Sequence, residues 1–167
     1  MKHLLKTILI ALLPVFVYAQ DTAVVKQQAQ LIADASVKAD YKIIADHTYP
    51  KIIESVGGKD KMAATVKQAY DIIKTQGISI EKVSIGSPGK FYKAGTEIHC
   101  LVPETTLLNS SNGKMLLNAN LLAVSRDGGK FWYFLDINQS TYNIIPKLFP
   151  NFNKNLVIPE PTQPVKQ

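Results

Sequence analysis

This sequence is poor in the residues that build disulfide frameworks and metal sites. Its one cysteine, Cys100, cannot form an internal disulfide, so the stability of the fold must come from packing. Of its three histidines, His3 lies at the extreme N-terminus, and His47 and His99 are far apart in the sequence. Two separated histidines without a short-spaced ligand cluster fall below what a zinc site requires. We therefore expect no metal site.

Arginine and nucleotide-binding motifs are scarce as well. Arg126 is the single arginine, and the lysines are scattered singly although the formal net charge is +6. Bidentate phosphate recognition depends on arginine, so nucleic-acid binding is not expected. The sequence contains no Gly-x-Gly-x-x-Gly, no phosphate loop and no Gly-x-Ser-x-Gly elbow. These absences disfavour nucleotide cofactors and serine hydrolase chemistry, and we expect no cofactor.

The N-terminus has the pattern of a secretory signal. Lys2 and Lys6 precede an apolar run over residues 7–17, and Val17 and Ala19 supply small residues before a cleavage point at Gln20. An uncleaved membrane anchor is the competing interpretation, but the run is shorter than the ~20 residues of a spanning helix. We predict that residues 1–19 are cleaved, that the protein is exported to the periplasm or beyond, and that no stable membrane insertion follows.

The mature chain has the size and composition of one domain. With 46% hydrophobic residues it belongs to the globular class, and we assign residues 20–150 to a single α+β domain. Apolar residues at three- and four-residue spacing predict three N-terminal helices, the second of which bends or restarts at Tyr49-Pro50. Residues 151–167 are rich in proline and lack periodicity, which predicts a mobile, extended tail.

The stretch from residue 91 to residue 138 has the pattern of an antiparallel meander. Three strand-like runs are separated by Asn112-Gly113 and by Asp127-Gly128-Gly129, both of which tolerate the positive φ angles of tight reversals. Residues 78–85 alternate with period two and predict a fourth strand at an edge. Both faces of the sheet carry large apolar groups, so each face needs at least partial cover.

The order of three helices followed by a bent meander resembles the nuclear transport factor 2-like superfamily. The features that carry the resemblance are Asp40-Tyr41 opening a helix, Tyr49-Pro50 followed by Gly57-Gly58, and the closing hairpin from Val124 to Trp132. The resemblance covers residues 21–138. It implies a cone-shaped α+β fold in which three helices pack on a curved four-stranded antiparallel sheet and enclose a pocket. Members include isomerases, dehydratases and exported proteins without known chemistry, so the resemblance selects no activity.

The closing hairpin also matches the Asp-box pattern through Ser125, Asp127, Gly129 and Trp132. In that motif the Ser and Asp side chains hydrogen-bond backbone groups of the turn, and the aromatic residue packs beneath it. A single copy therefore predicts a structural role and gives no warrant for glycosidase function.

Two sets of residues are candidates for function. Asn residues among leucines suit a partly polar pocket, although they equally suit a solvated face. The predicted ligand-binding residues are His47, Tyr49, Asn118, Asn120, Trp132 and Phe134. A histidine oriented by a carboxylate can move a proton near neutral pH, and the residues that could supply such a pair are His99, Glu97, His47 and Asp136.

Strand alternation favours a different arrangement for Glu97 and His99. In that arrangement they lie on a solvated face while Ile98, Cys100 and Val102 face the helices. A purely structural role is likewise favoured for His47, which could hydrogen-bond a carbonyl freed near Pro50.

These patterns favour an exported, non-catalytic binding protein that holds a small apolar or amphipathic ligand, or a protein partner, between helices and sheet. The alternative is a cofactor-independent lyase or isomerase that uses a His-carboxylate pair; whether the protein is an enzyme stays open, with the balance towards no. A homodimer through an exposed apolar sheet face is a further alternative.

Overall fold

The computed structural model describes residues 22–167, so the predicted signal peptide at residues 1–19 lies outside the described residues. Over the described part, helices come first and an antiparallel meander follows. The helices are α1 (Thr22–Lys38), α2 (Tyr41–Asp46), α3 (Pro50–Val56), α4 (Lys59–Thr75) and α5 (Gln139–Leu148). The strands are β1 (Ser79–Ile85), β2 (Tyr92–Ala94), β3 (Glu97–Ser110), β4 (Gly113–Ser125), β5 (Tyr133–Asp136) and β6 (Val165–Lys166).

The predicted break in the second helix is confirmed. Asp40 caps α2, because its side chain accepts a hydrogen bond from the backbone N–H of Ile43. Tyr49 then leaves the helical conformation, and Pro50 occupies the first turn of α3. Gly57 ends α3 in the left-handed conformation, with φ of 89°. The second predicted helix is therefore two short helices, α2 and α3.

The sheet confirms the predicted class, an α+β fold with an antiparallel sheet. Its order is β1-β3-β4-β5, with β1 at an edge as predicted, and the short strands β2 and β6 pair with β3 and β4. Within residues 22–167 the sheet thus has six strands rather than the predicted four. Strand β2 is separate because Gly95, with φ of 64°, and Thr96 form a two-residue turn that pairs Ala94 with Glu97.

Helices and loops cover the sheet on both faces. We call the first side the α1 face; its buried core comprises Val25, Ala29, Ile32, Cys100, Val102, Leu121, Ala123, Trp132 and Phe134. We call the opposite side the α5 face; its buried core comprises Tyr49, Leu122, Val124, Leu135, Ile137, Ile145, Phe149 and Leu156. Because successive strand residues point to opposite faces, the meander contributes to both cores.

The Asp-box prediction is confirmed in the loop that joins β4 to β5. The Ser125 hydroxyl accepts a hydrogen bond from the Gly129 N–H at 2.8 Å. The Asp127 carboxylate accepts from the Phe131 N–H at 3.0 Å, and the Trp132 indole donates to the Gly129 carbonyl at 2.9 Å. The side chains of Ser125 and Asp127 accept hydrogen bonds from backbone N–H groups that have no backbone acceptor, and these bonds fix the shape of the loop.

The C-terminal segment, which the sequence predicts to be a mobile tail, makes several contacts with the rest of the fold. It is extended, but Leu156 is buried in the core of the α5 face, and the Asn153 side chain donates to the Lys93 carbonyl at 2.9 Å. Further on, Thr162 donates to the Asn118 carbonyl, and β6 pairs with β4. Isolated apolar anchors among prolines produce no periodicity, so the sequence pattern does not reveal these contacts, and the mobility of the segment stays a prediction.

Candidate functional site

The polar cluster of the α5 face forms where the start of α3 meets the start of β3. The Tyr49 hydroxyl donates a hydrogen bond to Glu97 Oε1 at 2.9 Å, and His99 Nε2 lies 3.1 Å from Glu97 Oε2. Arg126 Nε lies 3.8 Å from Glu97 Oε1. One carboxylate thus gathers a phenol, an imidazole and a guanidinium group. We refer to Tyr49, Glu97 and His99 together as the Tyr49–Glu97–His99 cluster.

Local backbone features bring these residues together. Glu97 and His99 are two apart on β3 and therefore project to the same face. The chain between α2 and α3 runs along the edge of β5: the Phe134 N–H donates to the His47 carbonyl at 2.7 Å, and Thr48 forms a bridge with Phe134. This edge pairing carries Tyr49 past β5, so its side chain reaches the α5 face.

His99 is fully buried, and only one of its two ring nitrogens has a hydrogen-bond partner. Phe149 and Phe152 pack around its ring, with centroids at 5.0 and 5.6 Å. Nε2 meets Glu97, but within residues 22–167 Nδ1 has no hydrogen-bond partner. Burial lowers the pKa of His99, against the opposing hydrogen bond and charge of Glu97, so the imidazole is neutral at pH 7. With Nε2–H donating to the carboxylate, Nδ1 carries a free lone pair.

Tyr49 is the permanent donor of the cluster. It is only 2% exposed, and its ring packs on Phe149 with centroids 4.7 Å apart. Burial, and then the hydrogen bond to Glu97, raise the pKa of Tyr49 well above its usual value of 10. The phenol therefore stays protonated at all physiological pH values and holds Glu97 in place.

A cavity of about 350 Å³ opens beside the cluster. Besides Glu97 and His99, its wall includes the cations Lys51 and Arg126 and the carboxylate of Glu54, so its charges balance. Lys51 Nζ also donates to the Leu148 carbonyl at 2.8 Å, which ties α3 to the end of α5. The other lining residues are Tyr49, Pro50, Ala94, Thr96, Leu148, Phe149, Pro150 and Asn151.

The structure does not unite the six predicted ligand-binding residues. Trp132 and Phe134 are core residues of the α1 face, on the opposite side of the sheet from the cavity. Asn118 and Asn120 line a separate hollow of about 240 Å³ beneath the C-terminal segment. Among the six, only Tyr49 lines the cavity. Residues of α1 pack over Trp132 and Phe134, so these two side chains belong to the core of the α1 face.

Two of the four candidate acid-base residues lie apart from the cluster. His47 Nδ1 lies 3.2 Å from the carbonyl of Ile43 in α2, and the His47 ring stacks on Phe131. Asp136 pairs with Leu121 in the sheet and so belongs to the α1 face. Neither residue can act together with His99.

The favoured placement of Glu97 and His99 on a solvated face is wrong. His99 is fully buried and the Glu97 side chain is 17% exposed, whereas Cys100 and Val102 face α1 as expected. The reason is α5, whose cap residue Asn138 starts a helix that covers this face although Pro146 lies within it. From the sequence, Pro146 predicted a short irregular turn where the structure has the helix α5.

The sequence interpretation missed Glu104. This residue lies on β3 opposite Ala119, on the same face as Val102, and it is half-buried. Burial, and secondarily the charge of Asp136, raise the pKa of the Glu104 carboxyl to about 7, against the opposing hydrogen bond from Thr106. Alternation with Val102 and Thr106 was the signal that could have revealed it.

Comparison with models of known protein families and with curated proteins finds no match. Within the described range, no group of three or more His, Cys, Asp or Glu side chains is placed to hold a metal ion. No helix among residues 22–167 is both long enough and apolar enough to cross a bilayer.

Proposed function

We propose that this protein is an exported binding protein of the nuclear transport factor 2-like type that holds a small amphipathic molecule in the cavity beside the Tyr49–Glu97–His99 cluster. The observation that carries the proposal is the buried, unpaired Nδ1 of His99. A buried acceptor without a donor costs about 1–3 kcal/mol. Nδ1 has almost no accessible surface, so a ligand N–H or O–H group would meet it only after the His99 ring or its neighbours shift, and that contact would then recover this free energy.

The amphipathic character follows from the wall of the cavity. Tyr49 and Phe149 offer aromatic surface, while Lys51, Glu54 and Arg126 place balanced charges around them. Small-molecule sites combine apolar walls with a few fixed polar groups in this way. The helices that precede the antiparallel meander support the family assignment, and the cavity lies between the first turn of α3, the start of β3 and the end of α5.

Ligand titration followed by NMR of the histidine side chains tests this proposal. Residues 20–167 would first be screened against polar and amphipathic metabolites by thermal shift. We expect a stabilising compound to move the Nδ1 resonance of His99 and to leave that of His47 unchanged, because His47 is already hydrogen-bonded to Ile43. Stabilising compounds that leave His99 unperturbed would refute the site, and a panel without any stabilising compound would refute ligand binding.

A second function is favoured by one specific distance. His99 Nε2 lies 3.1 Å from Glu97 inside a single cavity, which is how a carboxylate orients a histidine that acts as a general base. Nδ1 would accept the proton, and Glu97 would stabilise the imidazolium ion that forms. Such a pair suits a cofactor-independent lyase or isomerase that removes a proton next to a carbonyl group.

Hydrogen–deuterium exchange into small ketones and 2-hydroxy acids in D₂O tests this second function. If the pair acts as a base, ¹H NMR would show loss of the proton next to the carbonyl, and Glu97→Gln would slow this loss by about 10²–10⁴-fold. Exchange at the uncatalysed rate in the wild-type protein would argue against catalysis and leave the binding proposal intact.

A further inference from the structure

The edge strand β1 reads almost the same in both directions. Over residues 77–86 the sequence is GISIEKVSIG, and reversing it matches glycine to glycine, isoleucine to isoleucine and serine to serine. Nearer the centre Ile80 matches Val83, and at the centre Glu81 matches Lys82. Two copies of this segment that run antiparallel therefore place similar residues opposite one another, with charges of opposite sign in the middle.

The outer edge of β1 is open. Strand β1 is the last strand of the sheet, and no strand among residues 22–167 pairs with its outer side. Glu81 and Lys82 are both exposed. Glu81 Oε1 forms an ion pair with Lys114 at 2.6 Å, but the Glu81 side chain remains 40% exposed and its second oxygen takes no part in that pair. The edge thus presents backbone groups and two charges that another strand can meet.

The hydrogen bonds at the end of β1 show which backbone groups are free. The Gly86 N–H donates to the Pro103 carbonyl at 2.8 Å, so Pro103 and the residues of β3 that alternate with it direct their backbone groups towards β1. Those residues of β3 pair with three polar residues of β1, which are Ser79, Lys82 and Ser84. The apolar residues Ile80, Val83 and Ile85 therefore direct their N–H and C=O groups to the open edge.

A bulge makes the two halves of the segment match in space as well as in sequence. The register of β1 on β3 shifts between Ile80 and Lys82, so Glu81 is an extra residue. Because of this shift, Ile80 and Val83 both pair with even-numbered residues of β3, which lie on one face of that strand. Residues opposite each other in an antiparallel pair share a face, so Ile80 can lie opposite Val83 of a second copy only because the bulge is present.

We propose that β1 is the contact strand of a symmetric homodimer, in which the β1 strands of two copies pair antiparallel about a twofold axis between Glu81 and Lys82. Ile80 of each copy exchanges backbone hydrogen bonds with Val83 of the other, and Glu81 of each copy meets Lys82 of the other. Bulges and charges protect an edge from unrelated strands, and here they leave a second copy of β1 as the matching partner. This interface uses the edge of the sheet, whereas the homodimer expected from the sequence uses its face.

Analytical ultracentrifugation of charge-reversed variants tests the dimer. Strand pairing buries a small area, so we expect the wild-type protein to pass from monomer to dimer between about 5 µM and about 500 µM. Glu81→Lys and Lys82→Glu should each weaken dimerisation about ten-fold, because each brings like charges together on both sides of the twofold axis. The double variant Glu81→Lys/Lys82→Glu should restore it. Lys67→Glu and Asp71→Lys, which make the same charge changes in an exposed ion pair of α4, should leave dimerisation unchanged.

Cysteine cross-linking tests the register of the two strands. Ser79 of one copy lies opposite Ser84 of the other, in a pair whose backbone groups point away from each other and whose side chains therefore approach closely. A mixture of Ser79→Cys and Ser84→Cys proteins should form disulfide-linked dimers under mild oxidation, whereas either variant alone should not. The native Cys100 is buried and serves as an internal background in all samples.

Four results would overturn the proposal, provided that circular dichroism shows each variant to be folded. The first is a wild-type protein that stays monomeric at about 500 µM. The second is a dimer that persists unweakened in both single charge reversals, and the third is a double charge reversal that fails to restore it. The fourth is cross-linking of the mixed cysteine variants no stronger than that of either variant alone.

Discussion

Glu104 carries a charge that the fold opposes, and replacing it by glutamine should stabilise the protein. The carboxyl group lies half-buried on the α1 face, where burial and the charge of Asp136 raise its pKa from 4.5 to about 7. Below pH 4.5 the group is neutral in both the folded and the unfolded chain. Between pH 4.5 and 7 only the unfolded chain ionises freely, so the contribution of Glu104 to stability is lost as the pH rises through 7.

The magnitude follows from the size of the shift. Each unit of pKa corresponds to about 1.4 kcal/mol, so a carboxyl group raised from 4.5 to about 7 costs about 3 kcal/mol once it is ionised. Partial exposure of the side chain reduces this value, and we expect Glu104→Gln to raise the free energy of unfolding by about 1.5–3 kcal/mol at pH 8. Glutamine keeps the shape and can still accept the Thr106 hydrogen bond.

Urea denaturation at pH 4 and at pH 8 measures the effect, with Glu160→Gln as the matched control because Glu160 is exposed on the C-terminal segment. The gain for Glu104→Gln should be present at pH 8 and vanish at pH 4, and the melting temperature at pH 8 should rise by about 3–12 °C. Equal unfolding free energies for the two variants at pH 8, or a destabilised Glu104→Gln protein, would refute the reasoning.

Three further perturbations test the packing of the α5 face. Tyr49→Phe should lower the free energy of unfolding by about 1.5–3 kcal/mol in urea, because it removes the hydroxyl donor from the Glu97 carboxylate; a loss below about 0.5 kcal/mol would contradict the bond. Leu156→Ala should cost about 2–4 kcal/mol by thermal or urea unfolding, whereas a mobile tail would show no loss. The lowered pKa of His99 means that its contribution to stability is complete above pH 6.5 and is lost as the pH falls below that value. This can be measured in the Glu104→Gln background, where Glu104 no longer titrates. The free energy of unfolding should fall more steeply between pH 6.5 and 5 when His99 is present than in the additional His99→Phe variant. Parallel curves of unfolding free energy against pH would exclude a contribution of His99 to the pH dependence.

Short-range signals in the sequence predicted most of the meander. Asn112-Gly113 and Asp127-Gly128 mark reversals where Gly113 and Gly128 adopt φ of 105° and 81°. Such turns depend on the residues within them, so no knowledge of the rest of the fold is needed. The hairpin at Gly95-Thr96 carries a weaker signal, and it was missed within a longer strand-like run.

Long-range packing decided what the sequence could not. The alternation of strand residues places Glu97 and His99 on one face of β3, but which face is covered depends on α5, about forty residues further along the chain. The hydrogen bond from Tyr49 to Glu97 spans 48 residues and has no local signature. Since α5 and the C-terminal segment cover much of this face, the exposed sheet that motivated a homodimer is reduced there, and the homodimer stays a prediction.

The lone thiol of the chain gives experimenters a native reporter. Cys100 is fully buried in the core of the α1 face, and burial raises its pKa to about 12. Thiolate is the reactive form, so a disulfide-exchange or maleimide reagent can modify this side chain only when β3 separates from α1. The rate of modification of the unaltered protein would therefore count core-opening events directly, and ligands that rigidify the domain would slow it without any introduced label.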